Sequence, residues 1–190
     1  MLMVAIVVLG LVVVPLVGGS LRRLGDIRIR RGWLIFVGLA LQIVVTTIFP
    51  DLPPTPSKVV HLGSYAFVLG FLFSNRLLPG VKLVLLGTVL NFAAIVANGG
   101  TMPARPAALA AAGIVSDHAF ENSAPVRDAN LQYLGDIFAV PSSVPLSNVF
   151  SVGDVLIDAG ALVLVMQTCR RPSAIADVAE DSAPELSYRE

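Results

Sequence analysis

The chain has 190 residues, of which 55% are hydrophobic and only 14% charged, with zero formal net charge and a mean hydropathy of +0.81. Soluble domains carry about 25% charged residues, so the composition argues against an ordinary soluble domain, and the balanced charge gives nucleic acid no footing. The single Cys169 excludes an internal disulfide and a multi-cysteine metal site; no metal and no cofactor is expected.

The apolar residues fall in five long blocks, at about 2–17, 33–49, 59–78, 83–97 and 149–167. Each approaches the roughly 17–25 residues that cross a bilayer as a helix. The expected fold class is therefore all-α, a multi-pass transmembrane bundle of about five spans. The first block has no basic residues ahead of it and five arginines shortly after it, which reads as a retained first helix rather than a signal peptide. Lysine and arginine placement orients the bundle. With the N-terminus outside, the inner segments hold Arg22, Arg23, Arg28, Arg30, Arg31, Arg76, Lys82, Arg170, Arg171 and Arg189. The outer segments hold only Lys58, Arg105 and Arg127. The C-terminus is then cytoplasmic. The acidic stretch 172–190, poor in aromatics, reads as a disordered cytoplasmic tail. Residues 1–171 form the integral membrane domain, placed in a bacterial cell membrane with the lipid bilayer as its first partner.

The one long non-spanning segment, the outer loop 98–148, is punctuated by five prolines. Connections of that length are uncommon unless functional or disordered. Within it, PAALAAAG (Pro106 to Gly113) has proline where a helix starts and glycine where one ends. Before it, ANGGTMP (Ala97 to Pro103) ends the fourth block. Asn98 and its glycines can adopt left-handed backbone, and exposed amides there could bind an anion.

Polar residues within the blocks need explaining, because an aspartate at a bilayer centre costs at least about 2.5–3.5 kcal/mol. Asp154 and Asp158 are four apart and share a face of the fifth helix with Ser151, while Asn148 is expected to cap its outer end. Asp154 then lies only about 8 Å below the start of that helix. Asn91 and Asn98 sit seven apart in the fourth block, and Lys58, His61 and Tyr65 share one face of the third. Asp136, in the loop, is able to join them. His61, Tyr65, Asn91, Asn98, Asn148 and Ser151 are therefore candidate ligand-binding residues, converging near the outer surface. Packing supplies a second explanation, since single Asn residues join membrane helices. Asp158 is unexplained.

On SLRRLGDIRIRRGW after the first block, NGGTMP after the fourth and NVFSVGD opening the fifth, the chain resembles a bacterial membrane-protein family known as domain of unknown function family 5317. The resemblance implies a multi-pass membrane protein and assigns no activity. Two shorter resemblances touch chemistry. The fifth block is similar to the last helix of lipoprotein signal peptidase, an F-N-x-A-D…I…G pattern. Phe150, Asp154, Ile157 and Gly160 fit it, with Ser151 in place of Asn and Gly153 in place of Ala. That resemblance implies a catalytic Asp154 paired with Asp136. Gly87 and Asn91 match the G-x-x-x-N of the preceding helix, but FAAIVAN stands where I-D-R is expected. SKVVHLGSYAFVLG (Ser57 to Gly70) is similar to a stretch of VanZ-like proteins, which are small envelope membrane proteins.

Three functions stay open on the sequence. One is an outward-facing polar site that binds an envelope or lipid-linked ligand. Another is an intramembrane aspartyl peptidase, in which Asp136 and Asp154 share a proton because close carboxylates cannot both ionise. The third is a non-catalytic assembly subunit that joins a membrane-protein partner.

Overall fold

A computed structural model describes residues 2–44, 48, 53–114 and 123–170. The proposed tail at 172–190 and the end of the second apolar block lie outside the described residues. Five long helices dominate. They are α1 (Leu2–Leu16), α2 (Trp33–Ile43), α3 (Pro54–Ser74), α4 (Val81–Ala97) and α6 (Val152–Cys169). A short α5 (Pro106–Ala112) lies between α4 and α6, beside four strands: β1 (Met102–Pro103), β2 (Ser123–Ala124), β3 (Phe138–Val140) and β4 (Asn148–Phe150). Thr55–Ser74 and Val152–Cys169 are long and apolar enough to cross a membrane; Ile6–Leu16, Trp33–Ile43 and Val81–Ala97 are shorter apolar helices.

The long helices pack side by side in the spatial order α2, α3, α4, α6, α1. Contacts fix their directions. Gly38 faces Val68 and Gln42 Nε2 donates to Ser64 Oγ at 3.1 Å, so α2 and α3 run antiparallel. Gly10 meets Leu162, and the N–H of Ser20 donates to the Cys169 carbonyl at 2.9 Å, so α1 runs parallel to α6. The described parts of segment 98–150 therefore gather at one end of the bundle. The arginine-rich turns at 21–32 and 76–82, with Arg170, gather at the other.

Contact between α4 and α6 is the most extensive and the closest. Gly87 lies against Gly153 and Gly80 against Gly160, a register that repeats after seven residues on both helices. A Cβ on Gly87 would come 2.3 Å from the Gly153 carbonyl oxygen, and one on Gly80 would come 2.0 Å from that of Gly160. Gly80 also takes φ +75°, a left-handed conformation that side chains disfavour. Small residues at such positions let helix backbones approach, which is how membrane helices associate when no hydrophobic effect drives them together.

Polarity is inverted relative to a water-soluble bundle. Phe36 is 71% exposed and Leu77 83%, while Ser64 and Ser151 are wholly buried together with His61, Asn75, Thr88 and Asn91. Large exposed apolar residues of this number mark a surface that meets something other than water.

An all-helical chain is what the composition predicts, and segment 98–150 departs from it. β1 pairs with β2 in parallel and β3 pairs with β4 antiparallel, with Phe138 opposite Phe150 and Val140 opposite Asn148. Ala104, Ala108, Leu109 and Ala112 close over Val149 as a small apolar core of their own. α5 begins on Pro106 and ends at Gly113, in the left-handed conformation. Asn148 does not cap α6. It pairs in β4, and the helix starts three residues later at the Ser151 cap, because Val149 and Phe150 pair with Ala139 and Phe138. Nor are the amides of Gly99 and Gly100 open to an anion. They donate to the carbonyls of Val96 and Ile95, closing the end of α4. Cys169 is buried against Val14 and Val165, which leaves no exposed thiol for a lipid to modify.

The α4–α6 contact makes a prediction. Gly153→Ala places a methyl 1.9 Å from Asn91 Oδ1 and 2.7 Å from the Gly87 carbonyl oxygen. It should cost about 1–3 kcal/mol, read as a lowered midpoint in thermal unfolding of the purified chain in detergent. Gly25→Ala, which meets nothing within 4 Å, should stay within about 0.5 kcal/mol of the parent.

Candidate functional site: a polar cleft at the loop end of the bundle

The site is built outward from the first turn of α6. Ser151 at the N-cap and Asp154 at the third helical position form a capping box. The Asp154 N–H donates to Ser151 Oγ at 3.0 Å, and the Ser151 N–H donates to Asp154 Oδ2 at 2.9 Å. Two orphan amides of the helix start are satisfied in this way. Asp154 is therefore a residue of the helix end, where the aligned peptide dipoles favour a negative side chain.

Asn91 enters this network from α4. Its Nδ2 donates to Asp154 Oδ1 at 2.8 Å, and its Oδ1 lies 2.8 Å from Ser151 Oγ. Ser151 Oγ is also 2.9 Å from Asp154 Oδ2. Its one proton serves one of these two acceptors at a time. Asn91 reaches so far because Gly153 has no side chain to stop it. Both carboxylate oxygens of Asp154 are thus held by named donors.

Asp136 arrives from the loop by a different route. Its N–H donates to the Pro103 carbonyl at 2.9 Å and its own carbonyl accepts from the Arg105 N–H at 3.0 Å, so its backbone is fixed beside Ala104. Its carboxyl is buried and accepts from Ser123 Oγ at 2.6 Å. Burial pushes the Asp136 pKa up to about 6, the negative charge of Asp154 adds to the rise, and the Ser123 hydrogen bond opposes it. The two carboxylates therefore feel one another.

These groups line a cleft of about 380 Å³ together with His61, Tyr65, Asn148 and Gln42, over a floor that includes Ile95, Met102 and Val149. The His61 ring stands edge-on to Tyr65 with centroids 5.4 Å apart, and Tyr65 leans on Phe92 at 5.1 Å. Of the residues singled out from sequence, His61, Tyr65, Asn91, Asp136, Asn148 and Asp154 all reach this cleft. Ser151 lies beneath it, wholly buried. Asn98 does not join them. Its amide exchanges hydrogen bonds with Asn130, at 2.9 and 2.7 Å, fastening the loop to the end of α4. Gln42 and Ser123 were not anticipated. Ser123 lies in a loop with no periodicity to mark it, and Gln42 is a single amide in an otherwise apolar block.

A second, apolar groove of about 350 Å³ starts where the cleft ends. Ile6 on α1 and Phe150, Val155, Ala159 and Leu162 beside it form its walls, and it shares Asn148 and Asp154 with the cleft. Asp158, one turn below Asp154, lies in this groove. Among the described residues no group of three His, Cys, Asp or Glu side chains is placed to hold a metal ion.

The chain belongs to the family of unknown function DUF5317, whose family model matches residues 26–166. That range includes every residue lining the polar cleft. No curated protein and no solved structure matches the chain.

Asp136 gives the site a pH signature. Between its ordinary value of 3.8 and about 6, the folded chain holds a proton that the unfolded chain has lost. Stability should fall as pH rises through this window, by about 3 kcal/mol in total. Asp136→Asn, which keeps an acceptor for Ser123, should flatten the pH dependence of the thermal midpoint and be the more stable form above about pH 7.

Proposed function

We propose that this member of the family is a multi-pass membrane protein that binds an amphiphile, head in the polar cleft and chain in the apolar groove. Its five long helices cross the bilayer, the N-terminus and the 98–150 segment lie outside, and the arginine-rich end lies in the cytoplasm. The inverted polarity of the bundle and the segregation of arginines to one end support this orientation. The observation that carries the ligand reading is that cleft and groove share Asn148 and Asp154. A ligand spanning both needs a polar end and an apolar end.

The chemistry of the lining narrows the head. Asp136 and Asp154 contribute acid, Asn91, Asn148 and Gln42 contribute amides, and among the described residues no Lys or Arg lines the cleft. An amine or a polyhydroxylated head suits this lining, and a phosphate does not. The apolar groove opens toward the faces that meet lipid, so the ligand enters sideways from the outer leaflet. The location is a bacterial cell membrane.

The test is direct. In neutral-lipid nanodiscs, a fluorescent dodecylamine should bind at least about tenfold more tightly than the matching dodecyl phosphate. Asp154→Asn should weaken it at the head, and Ala159→Phe, which fills the groove at an exposed position, should weaken it at the chain. Equal binding of both probes by all three proteins sinks the proposal. Orientation is checked separately. A membrane-impermeant thiol reagent on whole cells should label Ser143→Cys and leave Asp26→Cys untouched, since the native Cys169 is buried.

A second reading is favoured by one specific observation: Asp136 and Asp154 both line one cleft, and burial pushes the Asp136 pKa up to about 6. In an aspartyl peptidase one carboxylate takes a proton from water while the other gives one to the leaving group. Such an enzyme loses cleavage of a membrane precursor in both Asp136→Asn and Asp154→Asn. A binding protein instead keeps its ligand in Asp136→Asn, with affinity changed about tenfold or less. Packing by an assembly subunit explains the Asn91 link and leaves the groove without a use.

A further inference from the structure

At the opposite end of the bundle from the polar cleft, a separate hollow of about 300 Å³ is lined by Arg30, Arg31, Phe73, Ser74 and Arg76. We propose that it binds the phosphate-bearing headgroup of an anionic phospholipid at the cytoplasmic face of the membrane. The inference rests on the bilayer orientation given above and is independent of the amphiphile cleft.

The hollow is held open by specific contacts. Asn75, buried at the end of α3, accepts the Arg30 N–H at 2.8 Å and donates Nδ2 to the Arg30 carbonyl at 2.8 Å and to that of Phe71 at 2.9 Å. One side-chain amide thereby pins the approach to α2 against the end of α3. Arg31 follows in the left-handed region, φ +52°, which non-glycine residues rarely adopt. Its carbonyl then accepts the Leu34 N–H at 3.0 Å and starts α2. Arg76 completes the set. Its Cζ lies 4.2 Å from the centre of the Phe73 ring and one guanidinium nitrogen donates to the Phe73 carbonyl at 2.8 Å, which leaves the rest of its donors for a ligand.

Three arginines thus line one hollow, and among the described residues no carboxylate lines it. Their mutual repulsion is relieved by an anion, and the planar fork of Arg matches phosphate oxygens two at a time. The surroundings select a lipid over a free ion. Trp33, Phe36, Phe73 and Leu77 are all exposed around the hollow. Trp is favoured at the depth of lipid headgroups, and the apolar faces beside it offer a path for acyl chains. Basic hollows between membrane helices on the cytoplasmic side suit anionic headgroups for these reasons.

The experiment compares variants of equal charge in the purified full-length chain, by native mass spectrometry from mixed micelles and by titration into nanodiscs. Wild type should retain phosphatidylglycerol in preference to phosphatidylcholine. Replacing Arg30, Arg31 and Arg76 together by Gln should lower that preference by at least about tenfold. The matched control, Arg22, Arg28 and Lys82 all changed to Gln, should stay within about twofold. Arg31→Gly separates binding from folding, because glycine accepts φ +52° freely. It should unfold no more easily than wild type yet bind phosphatidylglycerol several times more weakly. Inorganic phosphate at millimolar concentration should not displace the lipid. Equal losses in the two triple variants, or undiminished binding by Arg31→Gly, overturn the site, and efficient displacement by phosphate alone overturns its assignment to a lipid.

Discussion

Where α4 and α6 touch, neither Gly87 nor Gly153 has a side chain, and the rest of the outer site is arranged around that absence. Backbones this close leave no room for a second rotamer or a bound water between them. Asn91, one turn beyond Gly87, is thereby delivered to Asp154 and Ser151 at hydrogen-bond distance. Had α6 been held a residue's width further off, its capping box would still form, but Asp154 would lack a partner on α4. The cleft therefore inherits its precision from two glycines that do not line it. The same register, repeated at Gly80 and Gly160, carries the contact to the other end of the pair and keeps the two helices from pivoting.

The long helices were legible in the sequence because unbroken apolar runs of this length form helices, whose backbone satisfies its own hydrogen bonds. The blocks beginning at Leu2 and Trp33 announced themselves on that ground alone. Segment 98–150 was legible only in part. Pro106 and Gly113 marked α5 through their own backbone preferences, whereas β1 and β2 are two residues each and carry no period to detect. The start of α6 was misplaced for a definite reason. Val149 and Phe150 look like the continuation of an apolar helix, and only their pairing with Ala139 and Phe138 draws them into a hairpin. That is a tertiary contact no local pattern records. Asn98 illustrates a similar limit, since periodicity put it on the Asn91 face and Asn130, distant in sequence, claimed it. His61, Asp136 and Asp154 were individually conspicuous, each being costly to bury, but their meeting depends on the path of a loop.

The two ends of the bundle solve opposite electrostatic problems. Carboxylates and amides collect under the 98–150 segment, where burial pushes the Asp136 pKa up to about 6 and Asp154 is held by fixed donors. At the other end, Arg23 donates to the Arg170 carbonyl while Arg30, Arg31 and Arg76 line an open hollow. Between these ends the charged side chains are few among the described residues, so the two polar clusters are electrostatically separate.

Ser151 adds a degree of freedom to an otherwise rigid network. Its hydroxyl carries a single hydrogen, and Asn91 Oδ1 and Asp154 Oδ2 both lie within reach. The closed network consequently has two arrangements of the same atoms, differing only in where that hydrogen points. On the proposed reading, a donor brought to Asp154 by a guest would favour the arrangement in which the hydroxyl points to Asn91.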